Sequence, residues 1–153
     1  LKEIKSRVRI SEGAYENGGE LQIEAMDRAI SALKEFLLIA KSYKARKIFV
    51  VATSAVRDAP NKSLFLSKVK KETTLQIKVI DGEKEAFFGA VATSNLLPQS
   101  DGITIDIGGG STEFALIKNK KIIETLSLKL GTVRLEELFF DKNNITGAIK
   151  YIN

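Results

Sequence analysis

The segment that most constrains this chain is Asp106-Ile107-Gly108-Gly109-Gly110-Ser111-Thr112-Glu113. Its three consecutive glycines join two stretches of alternating apolar and polar residues, 102–105 and 112–117, which predicts a tight turn between two strands. Because glycine has no Cβ, the backbone N–H groups of such a turn can approach an anion closely. A carboxylate at the same edge would repel phosphate unless a divalent cation lay between them, and such oxygen ligands suit Mg²⁺. We therefore expect a turn that binds phosphate beside a metal ion, with a plain hairpin as the alternative.

The segment differs from two familiar phosphate-binding loops. It lacks the Gly-Lys-Ser/Thr sequence that opens a helix in a Walker loop, and it lacks the third glycine of a Rossmann fingerprint. Glu113 follows on the second strand, where it is either another carboxylate on the metal side or an outward-facing sheet residue.

Composition limits the chemistry that remains. With 153 residues, 44% of them hydrophobic, the chain can form one ordinary domain or two small lobes with a packed core. It contains neither cysteine nor histidine, which excludes disulfides, thiolate or histidine-ligated zinc, and histidine-dependent catalytic triads. Acid–base chemistry must therefore use carboxylates, lysines or tyrosines.

Charge and hydropathy restrict the partners. The net charge of +5 favours an anionic partner, although a solvated basic surface explains it equally well. No basic run is interleaved with aromatic residues, so nucleic acid is disfavoured. The apolar runs are too short for a membrane span and the start shows no signal-peptide pattern, so we expect a cytoplasmic protein without membrane association. A homodimer is possible, and the sequence leaves the oligomeric state open.

The first part of the chain alternates strands and helices, which is typical of an α/β sheet. Strands are expected at 7–10, 47–53 and 75–80. The second is a continuous apolar run, as in a strand buried on both faces. Helices are expected from Met26 to Ala40, after Asp58-Ala59-Pro60 with Asp58 as N-cap, and over 86–97, the last buried between layers.

The second part changes to strands in series. Segments 103–107, 112–117 and 121–128 are expected to form a meander whose turns come from the glycines and from Asn119-Lys120. A helix from about Val133 closes the unit. Because both ends look cut, we interpret the chain as a fragment of a longer protein.

Polar residues follow two of the predicted strands, at the edge where open α/β sheets bind ligands. Arg57 offers a planar charged fork that matches phosphate oxygens, and a surface pair with Asp58 is the alternative. Glu85 opens an apolar helix, where it is either a general base or a first-turn acid that interacts with the helix dipole. Gly131 either admits phosphate to a helix N-terminus or simply ends a strand.

Taken together, these segments resemble the Ppx/GppA family of exopolyphosphatases and guanosine pentaphosphate phosphohydrolases. Residues 52–61 are similar to the arginine motif of that family, 82–86 to its glutamate motif, 105–113 to its second phosphate loop and, less distinctively, 131–134 to a following segment. The resemblance implies an α/β fold with the ribonuclease-H-like lobes of the actin/sugar-kinase/Hsp70 superfamily, truncated at both ends. It assigns 1–82 to a first lobe without its first strands and 83–153 to the start of a second, with the boundary within 81–101.

The resemblance also implies roles for individual residues. Glu85 would activate the attacking water, Asp106 and Glu113 would lie on the Mg²⁺ side, and Arg57 would grip phosphate. The residues of the turn would hold phosphate through their backbone N–H groups: Gly108, Gly109, Gly110 and Ser111.

The implied reaction is Mg²⁺-assisted attack of water on the terminal phosphoryl group of inorganic polyphosphate or guanosine pentaphosphate. Two alternatives stay open: a non-catalytic sensor that binds polyphosphate or an alarmone, and an ATP-dependent kinase of the same superfamily. Because the first phosphate loop of the family is missing here, the fragment alone is expected to be inactive.

Overall fold

A computed structural model describes residues 3–153 of the chain, and its contacts divide the chain into two compact units, Leu1–Val79 and Ile80–Asn153. The helices are α1 (Ile23–Ser42), α2 (Ser54–Asp58), α3 (Lys62–Thr73), α4 (Gly82–Leu96), α5 (Thr132–Leu135) and α6 (Ile145–Ile152). The strands are β1 (Val50–Ala52), β2 (Ile77–Val79), β3 (Gly102–Ile107), β4 (Thr112–Lys118) and β5 (Lys121–Leu128). Short 3₁₀ and π turns lie at Tyr15–Asn17 and Glu136–Phe140.

The first unit packs helices against a two-stranded parallel sheet. Strands β1 and β2 pair with Val51 opposite Lys78. The apolar residues of α1 recur at threes and fours, so they form one face, and this face meets α2 and α3 in the core. The buried core residues of this unit are Leu21, Met26, Ala29, Ile30, Val56, Ala59, Phe65 and Val69.

Of the strands predicted in the first unit, the one at 7–10 is absent, and those at 47–53 and 75–80 are longer than the observed β1 and β2. Residues 7–9 have no regular structure and Ile10 begins a turn, because no strand of the described chain pairs with this segment. Its apolar side chains pack against the core cluster instead. The strand predicted at 47–53 is shorter and is not buried on both faces, since Phe49 is 85% exposed and Val51 is 50% exposed. Within residues 3–79 no layer covers that face.

The helix that was expected to follow Asp58 as an N-cap begins later. Asp58 is the last residue of α2, and Asn61 occupies the N-cap position of α3. The side chain of Asn61 does not cap the helix but bonds the backbone of Leu21, accepting from its N–H at 3.0 Å and donating to its carbonyl at 2.9 Å. These two bonds tie the start of α1 to the turn between α2 and α3.

The second unit is built on an antiparallel meander with strand order β3-β4-β5. The predicted meander is confirmed. All three strands and both turns are present, and the observed strand ends lie within one residue of the predicted ones. Asn119 and Lys120 adopt φ of 51° and 60°, the left-handed conformation that two-residue hairpins require. The helix predicted from Val133 is interrupted: the single turn of α5 continues into a π turn, and α6 starts separately at Ile145.

Helix α4 covers one face of this meander. Asp81 caps the helix by accepting from the Lys84 N–H at 2.7 Å, and small Ala90 lets the helix approach Ala115 and Ile117 on β4 closely. The expectation that this helix is buried between layers is wrong for the described chain, since Phe87 and Phe88 are 44% and 49% exposed. Among residues 3–153, no helix is both long and apolar enough to cross a membrane.

Candidate phosphate and metal site

The glycine turn Gly108–Ser111 connects β3 to β4. The N–H of Gly108 donates to the carbonyl of Ser111 at 2.9 Å and closes the turn. None of its three glycines has a positive φ, so backbone conformation does not explain them. Lack of space explains two of them, because a Cβ on Gly109 would lie 3.3 Å from Cγ2 of Val133 and one on Gly108 would lie 3.2 Å from the Ser111 carbonyl oxygen.

A segment distant in sequence, Gly131–Arg134, lies against one side of this turn. The N–H of Thr132 donates to the carbonyl of Gly108 and the N–H of Arg134 donates to that of Gly109, each at 3.0 Å. The Arg134 Nε donates to the carbonyl of Gly110 at 2.7 Å. Three successive carbonyls of the turn therefore point toward the same segment.

This orientation fixes where the N–H groups of the turn point. In a trans peptide the C=O and the following N–H are antiparallel, and the described chain contains no cis peptide. The N–H groups of Gly109, Gly110 and Ser111 therefore point away from Gly131–Arg134, and no acceptor within residues 3–153 bonds to them. Successive N–H groups on one side form a concavity that attracts anions.

Gly131 makes the close approach of the two segments possible. A Cβ at this position would lie 2.4 Å from backbone atoms of both Gly109 and Gly110. The sequence suggested that Gly131 either admits phosphate to a helix N-terminus or ends a strand. Neither describes its observed role, which is to let the backbone of the glycine turn pack against it. Thr112 strengthens the junction, since its hydroxyl donates to the Leu130 carbonyl.

Two carboxylates lie side by side at the same end of the meander. Asp106 on β3 is directly opposite Glu113 on β4, so both side chains are on one face of the sheet with Cβ atoms about 4.5–5.5 Å apart. Glu113 is opposite Ser127 on β5 and accepts from its hydroxyl at 2.7 Å. Glu113 is only 4% exposed, so the outward-facing alternative is wrong, whereas Asp106 is exposed.

The donor set of this carboxylate pair fits a divalent cation. Like charges directly opposite each other destabilise a sheet, and no lysine or arginine of the described chain pairs with Asp106 or Glu113. A cation between them would relieve the repulsion. Within residues 3–153 no group of three or more acidic residues is arranged so that it could hold a metal ion. Two carboxylates next to the N–H groups of the glycine turn are the kind of oxygen ligands that suit Mg²⁺, which keeps several water ligands.

Glu85 is in the first turn of α4, the helix that covers the sheet face on which both carboxylates lie. Helix α4 packs on Ala115 and Ile117, which share that face with Glu113 by strand alternation. The last turns of α4 line a cavity with Gly102 at the start of β3, so the helix runs antiparallel to β3. Its first turn, with half-buried Glu85, therefore points toward the end that holds Asp106.

Arg57 belongs to the other unit, in the last turn of α2. Its Nε lies 3.7 Å from Oδ1 of Asp58, and both side chains are 18% exposed. The pair with Asp58, left open as an alternative, is therefore present. The backbone carbonyl of Arg57 also accepts from the Lys62 ammonium at 2.9 Å.

Sequence reasoning did not single out Ser127 or assign a role to Arg134. Ser127 becomes visible once the meander is paired in register, because it then falls opposite Glu113. No comparable sequence pattern indicates the role of Arg134. Its contact with Gly110 depends on how the chain returns after β5.

Comparison with known sequences finds one family model and several relatives that resemble this chain. The sequence profile of the Ppx/GppA phosphatase family matches residues 1–151. A bifunctional 3-dehydroquinate synthase/phosphatase from Fusobacterium nucleatum is 41% identical over 130 residues, which is 82% of this chain and 20% of that protein. A guanosine-5'-triphosphate,3'-diphosphate pyrophosphatase from Photobacterium profundum is 33% identical over 149 residues, which is 95% of this chain and 29% of that protein.

Structural similarity points the same way. The crystal structure of an exopolyphosphatase from Cytophaga hutchinsonii superposes with a TM-score of 0.81 and 34% identity, covering 91% of this chain and 45% of that one. The predicted α/β fold class is confirmed by this match. The chain spans less than half the length of each of these relatives.

Proposed function

Because this chain belongs to the Ppx/GppA phosphatase family, we propose that the protein releases the terminal phosphate of inorganic polyphosphate or of guanosine pentaphosphate by hydrolysis. The observation that carries the proposal is the orientation of the glycine turn, whose three carbonyls face Gly131–Arg134 and whose N–H groups face the opposite way. A terminal phosphoryl group is the anion that such a set of donors suits.

The turn would act first by binding and orientation. The N–H groups of Gly109, Gly110 and Ser111 would donate to oxygens of the terminal phosphate, and their fixed direction requires little reorganisation as charge develops in the transition state. Asp106 and Glu113 would hold Mg²⁺, which supplies charge neutralisation at the phosphate oxygens when bound. The Ser127 hydroxyl donates to one carboxylate oxygen of Glu113, and the other oxygen would bind the metal ion.

Glu85 would accept a proton from the attacking water. A new bond then forms between the water oxygen and the terminal phosphorus, and the bond from that phosphorus to its bridging oxygen breaks. The shortened phosphate chain leaves with the electron pair of that bond. Arg57 would bind phosphate oxygens of the substrate, for which its guanidinium is suited although it also pairs with Asp58.

The test is phosphate release from polyphosphate and guanosine pentaphosphate in parallel, with and without Mg²⁺, by the protein expressed from its complete coding sequence. We expect release that requires Mg²⁺, and a fall of about 10²–10⁴-fold in kcat for Glu85→Gln, which removes the proton acceptor. Glu83→Gln is the matched control, because Glu83 is an exposed acid in the same helical turn.

The relative rates would identify the preferred substrate. Tight binding of polyphosphate with no release by the wild-type protein would overturn the hydrolase proposal in favour of a sensor. Equal losses in Glu83→Gln and Glu85→Gln would overturn the role of Glu85.

A further inference from the structure

The peptide groups of the glycine turn owe their direction to one residue more than to any other. Arg134 donates from its backbone N–H to the Gly109 carbonyl at 3.0 Å and from its Nε to the Gly110 carbonyl at 2.7 Å. We infer that Arg134 is a positioning residue that holds the N–H groups of the turn toward the phosphate. This inference rests on the proposed function, because it concerns the same turn.

The alternative that Arg134 excludes is a flipped peptide. Glycine peptides rotate with little steric resistance, so the turn alone does not choose the direction of its C=O groups. A flip of the peptide between Gly110 and Ser111 would replace an N–H with a carbonyl oxygen on the phosphate side, and this oxygen would repel the anion. A bond from a charged donor to the Gly110 carbonyl is stronger than one from a neutral donor, and it stabilises the orientation that binds.

The charge of Arg134 adds a second effect. A cation bonded to a carbonyl polarises that peptide, which makes the N–H at its other end, that of Ser111, a better donor. Arg134 is only 8% exposed, so water screens this effect weakly. Lysine would keep the charge, but its ammonium lacks the Nε donor close to the backbone and the planar geometry of the guanidinium. The structure thus requires arginine at this position for a reason beyond charge.

The experiment follows the amide resonances of Gly109, Gly110 and Ser111 by NMR while inorganic tripolyphosphate is added with Mg²⁺, in the protein expressed from its complete coding sequence. Phosphate release from polyphosphate is measured on the same samples. The variants are Arg134→Ala and Arg134→Lys. Lys150→Ala, which removes an exposed cation from α6, controls for net charge.

We expect tripolyphosphate to shift the three amides in the wild-type protein and in Lys150→Ala. In Arg134→Ala we expect binding to weaken by about tenfold or more and release to fall by about 10²-fold, while the melting curve still shows a folded protein. Added guanidinium or methylguanidinium should restore release in Arg134→Ala by at least about tenfold, because it returns the missing donor to the Gly110 carbonyl. Arg134→Lys should stay impaired.

Three results would overturn the inference: unchanged binding in a folded Arg134→Ala, full activity in Arg134→Lys, or a loss that no guanidinium compound restores. The last would assign Arg134 a merely structural role. If the wild-type protein binds tripolyphosphate at the three amides but releases no phosphate, the proposed hydrolase function fails. Loss of those shifts in Arg134→Ala would still support the positioning role in that case.

Discussion

A side chain at position 131 would collide with the backbone of the glycine turn. The Cβ of alanine there would lie 2.4 Å from backbone atoms of Gly109 and Gly110, and backbone cannot move aside as a flexible side chain can. The turn or the segment behind it must therefore shift, breaking the bonds from Thr132 and Arg134. We expect Gly131→Ala to destabilise the protein by about 1–3 kcal/mol and to reduce phosphate release at least as strongly as Arg134→Ala. Chemical denaturation and the release assay measure the two effects.

Gly89→Ala is the matched control for this substitution. Gly89 lies inside α4, and a Cβ there meets nothing within 4 Å. Alanine favours the helix over glycine by about 0.5–1 kcal/mol, so this variant should be slightly more stable than wild type. A Gly131→Ala protein as stable and active as the Gly89→Ala protein would contradict the close packing.

At the scale of single residues, the sequence predicts which residue types gather but not which way the backbone faces. The sequence placed Asp106 and Glu113 on neighbouring strands but left the face of Glu113 open, and the observed register puts the two residues directly opposite each other. The direction of the three turn carbonyls could not be predicted. Their donors follow more than twenty residues later, beyond β4 and β5, and only the folded chain brings them together.

At the scale of elements, the first turn of α4 depends on its cap. The Asp81 carboxylate accepts from the Lys84 N–H at 2.7 Å and satisfies one of the N–H groups that a helix leaves without a partner. We expect Asp81→Ala to lower stability by about 1 kcal/mol and to speed hydrogen exchange of the first-turn amides. Release should fall as well, because Glu85 lies in this turn.

Asp81→Asn separates capping from charge. Asparagine caps helices about as well as aspartate, so this variant should keep nearly all of the stability and activity that Asp81→Ala loses. If both variants lose activity equally while stability differs, the Asp81 charge rather than the cap would matter, and the argument from helix geometry would be wrong.

The success of element prediction in this chain depends on whether an element has its pairing partner nearby. The meander was predictable because each strand pairs with the next one along the chain, through turns of glycine and of Asn119-Lys120. The segment 7–10 has the same alternation and still forms no strand, since alternation alone supplies no neighbour. The isoleucines of β3 show that spacing predicts an element but not its burial. Their alternation indicates a strand, yet Ile103, Ile105 and Ile107 are 65%, 59% and 66% exposed.

For the molecule as a whole, each unit has its own apolar cluster. The core of the first unit consists of residues from the segment before α1 and from α1 to α3, and that of the second forms between α4 and the meander. Composition predicted one ordinary domain or two small lobes without choosing between them. The choice depends on which apolar residues touch, and periodicity assigns residues to faces but does not match one face with another.

The last prediction tests whether these two clusters stabilise their units separately. Met26 is fully buried in the first core, and replacing it by alanine removes apolar contacts without lowering the helix propensity of α1. We expect Met26→Ala to cost about 2–5 kcal/mol and Leu38→Ala, at a position of α1 that is 67% exposed, to cost within about 0.5 kcal/mol. Native-state hydrogen exchange should show lost protection in α1 and α3 and unchanged protection in β4, because no residue of the second cluster contributes to the first. An equal loss of protection in β4 would mean that the two units unfold together, and that a substitution far from the glycine turn can reduce phosphate release through stability alone.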